Sequence, residues 1–165
     1  MRRFAVIGLG NFGFHTAKAL FEDGNEVVAI DADKVRVQAI DPHSTEAVVL
    51  DATDKEALKS LGLENMEGVI VSTGTKISTS ILICLYLQEI GVKKILAKAL
   101  DDDHGKILKR MGASEIIHPE RDMAFRVARS LSRPNMLDFI PLAEDFDLVQ
   151  VAPPKEFIGK SLRDL

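Results

Sequence analysis

The sequence predicts an α/β protein: a doubly wound parallel sheet, strand order 3-2-1-4-5-6, with helices on both faces. Three observations carry that prediction. Short apolar runs alternate with helix-length stretches over most of the 165 residues, joined by short connections. Those runs are apolar along their whole length, as strands buried on both faces are. The first of them breaks into Gly8-Leu9-Gly10-Asn11-Phe12-Gly13, and the second ends on Asp31. A strand, a glycine turn, a helix and a second strand closed by an acid form the pattern that holds a pyrophosphate and a ribose. Right-handed crossovers then place the switch point between strands one and four.

Taken in order, Phe4-Ala5-Val6-Ile7 is strand one. A helix over about residues 12–23 packs through Ala17, Ala19, Leu20 and Phe21, and Gly24-Asn25 ends it by tolerating a left-handed conformation. Val27-Val28-Ala29-Ile30 is strand two, after which Asp33 caps a short helix that Pro42 closes. Ala47-Val48-Val49-Leu50 is strand three, ending on Asp51-Ala52-Thr53, and Asp54 caps the helix over residues 56–61. Strand four is Gly68-Val69-Ile70-Val71, ending on Ser72-Thr73-Gly74, and a helix over 77–90 stops at Gly91. Lys94-Ile95-Leu96-Ala97 is strand five, with Lys98 at its carboxyl end. A helix over 104–111 and the short strand Glu115-Ile116-Ile117 complete the sheet.

Beyond the sheet the character changes. Residues 122–132 are helical, with Met123, Ala124, Val127, Ala128 and Leu131 on one stripe. Pro134 ends that helix, and two extended pieces (136–140 and 148–151) flank an acidic loop with Glu144, Asp145 and Asp147. The pieces are too short to build a second core around the stripe, so a second copy of the chain is its expected cover. The organisation read from this is a nucleotide-binding domain at 1–120, a dimerisation helix and extended segment at 121–150, and the opening of a further domain at 151–165.

Composition narrows the class. Apolar residues make up 46% and charged residues 28%, ordinary for a globular chain, and the net charge of −4 gives no reason to expect a nucleic acid partner. The longest apolar run is seven residues (81–87), far short of the roughly 20 that span a bilayer, so no direct membrane insertion is expected. No signal peptide is expected either, because strand one begins within a few residues. Cys84 cannot pair internally and reads as a core residue in a reducing cytoplasm.

The candidate binding residues lie at strand ends. Gly8 allows the turn, Gly10 lets backbone approach a pyrophosphate, and Gly13 lets helix and strand pack. The helix start near Asn11 offers unpaired N–H groups to phosphate. Asp31 is placed for ribose hydroxyls, and its charge favours NAD or an adenine nucleotide over NADP. Asp51-Ala52-Thr53 is placed for adenine contact, and Lys98 either faces the ligand or lies along the surface. Asp101-Asp102-Asp103 reads as a helix cap rather than a metal site. His15, His43, His104 and His118 are scattered, with no metal-ligand spacing. Arg126, Arg129 and Arg133 read as a solvated face. About 45 residues follow the sheet, too few for a substrate domain, and no Ser-His-Asp, Cys-His or Lys-Tyr arrangement stands at a catalytic spacing. Binding without turnover is the preferred reading, and a small NAD-dependent oxidoreductase lacking its substrate domain is the alternative.

The combination of Val6–Gly13 turn residues, Ala29-Ile30-Asp31, Asp51-Ala52-Thr53, Ala97-Lys98-Ala99 and Ile117-His118-Pro119-Glu120-Arg121-Asp122-Met123 closely resembles the cytosolic regulatory subunits of bacterial Trk/Ktr potassium-uptake systems. The likeness covers about residues 3–150. It implies a Rossmann-type domain that binds NAD(H) or ATP/ADP, forms a homodimer and a higher ring, and gates a membrane potassium-transporter subunit from the cytoplasmic face. It implies that Gly8, Leu9, Gly10, Asn11, Phe12 and Gly13 surround the phosphates, Asp31 and Ala32 the ribose, and Asp51 and Ala52 the adenine. Thr73, Gly74 and Lys98 would line the remaining crevice, with Glu120 near the subunit interface and nucleotide. ATP-responsive members often carry Arg where this chain has Asn11, which removes a partner for a terminal phosphate. Phe157-Ile158-Gly159-Lys160-Ser161-Leu162 looks like the first element of the family's C-terminal ligand-binding domain.

Overall fold

The structure is a computed structural model, which describes residues 1–73, 76–132, 136–143, 146–151, 153, 155–161 and 163–164. Gly74, Arg133, Pro134, Glu144, Asp145 and Leu162, named above, lie outside the described residues. The chain separates into two compact units, Met1–His118 and Pro119–Leu165.

The first unit alternates strand and helix without interruption. Its strands are β1 (Arg3–Ile7), β2 (Glu26–Asp31), β3 (Glu46–Val49), β4 (Gly68–Val71), β5 (Ile95–Lys98) and β6 (Glu115–Ile117). The helices between them are α1 (Asn11–Glu22), α2 (Lys34–Ile40), α3 (Lys55–Ser60), α4 (Ile77–Ile90) and α5 (Asp102–Arg110). All six strands pair in parallel, in the order β3-β2-β1-β4-β5-β6 that the sequence predicts. The doubly wound, Rossmann-type topology therefore has its reversal between β1 and β4.

Alternation along the central strands feeds two separate cores. Ala5 and Ile7 of β1 point to one face with Val28, Ile30, Val69 and Val71, where Leu58 of α3, Ile83, Cys84 and Leu87 of α4 and Leu108 of α5 cover them. Val6 points to the other face with Val27, Ala29 and Ile70, beneath Ala17 of α1 and Val37 and Ile40 of α2. Over residues 5–7 neither face of β1 meets water, which is why that part of the strand reads as a continuous apolar run. Cys84 is fully buried there, and burial pushes its thiol up to about 12, so it packs as an inert hydrophobe.

Helix starts differ slightly from the sequence expectation. The Asp101 carboxylate accepts the His104 N–H at 2.8 Å, so α5 begins at Asp102 and the two following aspartates fall in its first turn. There they suit the positive end of the helix dipole. In the second unit α6 (Pro119–Ser132) starts three residues before the predicted 122, because proline's fixed φ and missing N–H are favourable at a first helical position. The two extended pieces pair as an antiparallel hairpin, β7 (Met136–Ala143) and β8 (Phe146–Val151). None of the residues of α6 is buried. Among the described residues, no helix is long and apolar enough to cross a membrane.

Candidate nucleotide site

The switch point puts the ends of β1 and β4 side by side, and the glycine turn fills the space between them. Gly8 has a φ of +93°, and a Cβ on it would stand 2.6 Å from the Ser72 carbonyl group at the end of β4. Only glycine fits a left-handed backbone at that distance. A Cβ on Gly13 would overlap the Gly8 carbonyl oxygen, so α1 rests directly on the turn. Gly10 is different. It has an extended backbone that any residue adopts, and a Cβ there would meet no atom within 4 Å. Its outer side is open, and it starts α1 without a side-chain cap.

Asp31 closes the opposite wall. Its Oδ2 accepts the Leu9 N–H at 2.6 Å, and its Oδ1 accepts the Asp33 N–H at 2.8 Å. The carboxylate is thus pinned between the glycine turn and the start of α2, with its side chain 11% exposed. Each oxygen keeps acceptor capacity, because a carboxylate offers about four lone-pair positions. At the end of β3, Asp51 Oδ1 accepts both the Thr53 hydroxyl at 2.7 Å and the Thr53 N–H at 2.9 Å. Those bonds, the hydroxyl's first, hold the Asp51 carboxyl below its ordinary value. Thr73, at the end of β4, has its Oγ1 buried without a hydrogen-bond partner among the described residues.

Gly8, Asp31, Ala32, Asp51, Ala52 and Thr73 come together on one open cleft of about 150 Å³. Leu9 is buried, with its N–H on Asp31, and Gly13 is buried in the first turn of α1 against the Gly8 carbonyl. Asn11 is exposed at the first position of α1, Phe12 packs partly on the core beneath it, and Thr53 braces Asp51. Lys98 ends β5, half-buried, and is not among the residues lining this cleft. Glu120 lies in the first turn of α6, in the second unit.

Sequence reading missed five residues on the cleft: Ile7 at the end of β1, Arg36 of α2, Leu50 after β3, and Thr79 and Ile83 of α4. Arg36 had a signal. It stands three positions after the cap Asp33, the spacing of a helical ion pair, and its Nε lies 3.6 Å from Asp33 Oδ2. Thr79 and Ile83 had none, because only the crossover from β4 to β5 brings α4 to this side of the cleft.

A doubly wound sheet with an open glycine turn at its switch point and a pinned acid on the next strand defines the class: a Rossmann-type domain. Within that class, residues 4–119 match the TrkA-N domain, and the chain belongs to that family. It is 45% identical over 164 residues to Ktr system potassium uptake protein C of Bacillus subtilis (strain 168), covering 99% of this chain and 74% of the relative. Ktr system potassium uptake protein A of the same strain is 41% identical with the same coverage. Among solved structures, the GsuK channel bound to NAD is similar in fold at a TM-score of 0.66 and 15% identity, covering 74% of this chain and 22% of that one.

Proposed function

We propose that this chain is a cytoplasmic, non-enzymatic nucleotide sensor that regulates a membrane potassium-transporter subunit and reaches the membrane only through that partner. The potassium-uptake names of its relatives support the transporter, and the cleft supports the nucleotide. One observation carries the nucleotide: the uncapped start of α1 faces an open side at Gly10, beside the pinned carboxylate of Asp31. Unpaired N–H groups at a helix start attract phosphate, and the acid accepts ribose hydroxyls.

In this reading the first turn of α1 (Gly10, Asn11, Phe12) holds phosphates of NAD(H) or ADP/ATP. Asp31 holds the ribose, Asp51-Ala52 the adenine, and Thr73 the far end of the crevice. Side-by-side titration of NAD, NADH, ADP and ATP tests it, with an Asp31→Ala control. That substitution should weaken binding by roughly 1.5–3 kcal/mol, the scale of hydrogen bonds to a charged group. Binding of none of the four nucleotides, or consumption of NADH with a carbonyl substrate, would overturn the sensor reading.

The signal to the transporter runs through assembly. Met123, Val127 and Leu131 of α6 are exposed, Leu131 by 80% and Val127 by 50%. A second copy burying the same stripe gives an isologous dimer, from which a higher ring is built, with Glu120 at the subunit contact. Nucleotide then acts by binding two arrangements of the dimer with different affinity. Light scattering should find a dimer that Val127→Asp with Leu131→Asp converts to a folded monomer, and a monomeric wild type would exclude this route.

A further inference from the structure

The cleft has an inner part at the glycine turn and an outer part at the ends of β2 and β3. The outer part is lined by Ala32, Leu50 and Ala52, with Arg36 of α2 on the same opening. Arg36 is held at two of its nitrogens: its Nη1 lies 3.6 Å from Asp31 Oδ2 and its Nε 3.6 Å from Asp33 Oδ2. Both distances exceed the 2.7–3.2 Å range typical of an N–H···O hydrogen bond, so the attraction is electrostatic and leaves the side chain adjustable. The two carboxylates themselves are fixed, Asp31 by the Leu9 and Asp33 N–H groups and Asp33 by the Val35 N–H.

Two acids around one guanidinium leave this corner net negative. A phosphate is therefore a poor occupant of it, whereas a neutral planar ring is a good one. Guanidinium planes stack on aromatic faces, and they do so more effectively than a lysine ammonium. The Arg36 side chain is 51% exposed, so covering one face of it buries surface without breaking any hydrogen bond. The space is also small. The whole cleft, at about 150 Å³, lies below the 300–1,000 Å³ of pockets that enclose a drug-sized ligand, so its outer part has room for one ring of a nucleotide at most.

We infer that Arg36 is the specificity-determining wall of a base slot, its guanidinium plane covering an adenine ring whose other side meets Leu50 and Ala52. This rests on the nucleotide reading above and adds to it the residue that distinguishes adenine from a smaller base. The two acids keep the adjustable guanidinium beside the slot, which gives Asp33 a part in it besides capping α2.

The test compares ADP and UDP binding by calorimetry for the wild-type chain, Arg36→Lys and Arg36→Ala. Melting curves of both variants should match wild type, since the residue is exposed and its ion pairs are long. ADP affinity should fall about tenfold in both variants, and UDP affinity by much less, so the adenine preference collapses. Arg36→Lys binding ADP as wild type does would overturn the inference, because charge alone would then suffice. Equal losses for ADP and UDP would overturn it as well. Failure of the wild type to bind either nucleotide would instead refute the nucleotide reading on which the slot depends.

Discussion

Three helices of the first unit begin on an aspartate and two do not. Asp33 caps α2 through the Val35 N–H at 2.8 Å, Asp54 caps α3 through the Ala57 N–H at 3.1 Å, and Asp101 caps α5 through the His104 N–H at 2.8 Å. Helix α1 begins on Gly10 and α4 on Lys76, neither with a side-chain cap. A side-chain cap contributes about 1 kcal/mol, so leaving two out is a cost in stability. Those two helices follow β1 and β4, the neighbouring strands at the switch point. The difference teaches how the chain divides its helix starts. Three starts are satisfied by an aspartate of the chain; the two at the switch point carry no side-chain cap, and in the proposed reading the α1 start is left for the nucleotide.

The two glycines of α1 separate these roles and give the largest expected effects. Gly13→Ala forces a methyl group into the Gly8 carbonyl, where backbone rather than a flexible side chain must yield. Overpacking of that kind costs roughly 1–3 kcal/mol or more, so the melting temperature should drop by several degrees at least. Gly10→Asp does the opposite. The backbone there suits any residue and the space is open, so the new carboxylate can cap α1 as Asp54 caps α3. The chain should keep or gain stability, by at most about 1 kcal/mol, while nucleotide affinity falls at least about tenfold through repulsion of phosphate. Equal nucleotide affinity in Gly10→Asp and wild type would show that the open start of α1 has no ligand.

The fold was legible in the sequence because β1, β2 and β4 are apolar on both faces and each is followed by a helix with a stop signal. The glycine turn and Asp31 were legible by spacing. The α4 side of the cleft was not, since Thr79 and Ile83 reach it only once α4 has packed on the sheet, and the ion-pair spacing of Arg36 does not by itself say that α2 turns it toward the cleft. The role of His104 was equally hidden. It reads as one of several scattered histidines, yet it is buried and meets Ser80, 24 residues away in sequence, so that it joins the first turns of α4 and α5.

That histidine supplies a smaller, pH-dependent effect. Its Nδ1 accepts the Leu100 N–H at 3.2 Å, which leaves the Nε2 hydrogen for Ser80 Oγ at 2.9 Å, while Ser80 Oγ–H donates to the Ile77 carbonyl. The Leu100 N–H needs an unprotonated Nδ1 and therefore the neutral ring, whereas the bond to Ser80 is made by Nε2–H in either state. Burial holds His104 below its ordinary value, opposed by Asp101 and assisted by His118. The unfolded chain therefore binds a proton more readily than the folded one. Stability from this group is complete above the unfolded value near 6.5 and is lost as pH falls from there toward the folded value. Melting at pH 7.5 and 5.5 should show the decline, and His104→Ala should lower stability at the higher pH but flatten the difference between the two. An unchanged difference would assign the pH dependence to other groups.

The smallest effect is expected at a capped start, and it tests the comparison from its other side. Asp54 is exposed, receives the Ala57 N–H and precedes a six-residue helix. Asp54→Ala should cost about 1 kcal/mol, the usual value of a lost cap, and Asp54→Asn much less because the amide oxygen still accepts. Nucleotide affinity should stay within about twofold in both, since the N–H groups exposed at α3 are satisfied by water and not by ligand. The nearby Asp51 turn is braced independently by Thr53, so its geometry does not depend on the cap. Thermal melts paired with ADP titration would check both halves. A loss of affinity as large as that in Gly10→Asp would mean that caps and ligand contacts are not separable in this sheet, and the division between the two kinds of helix start would fail.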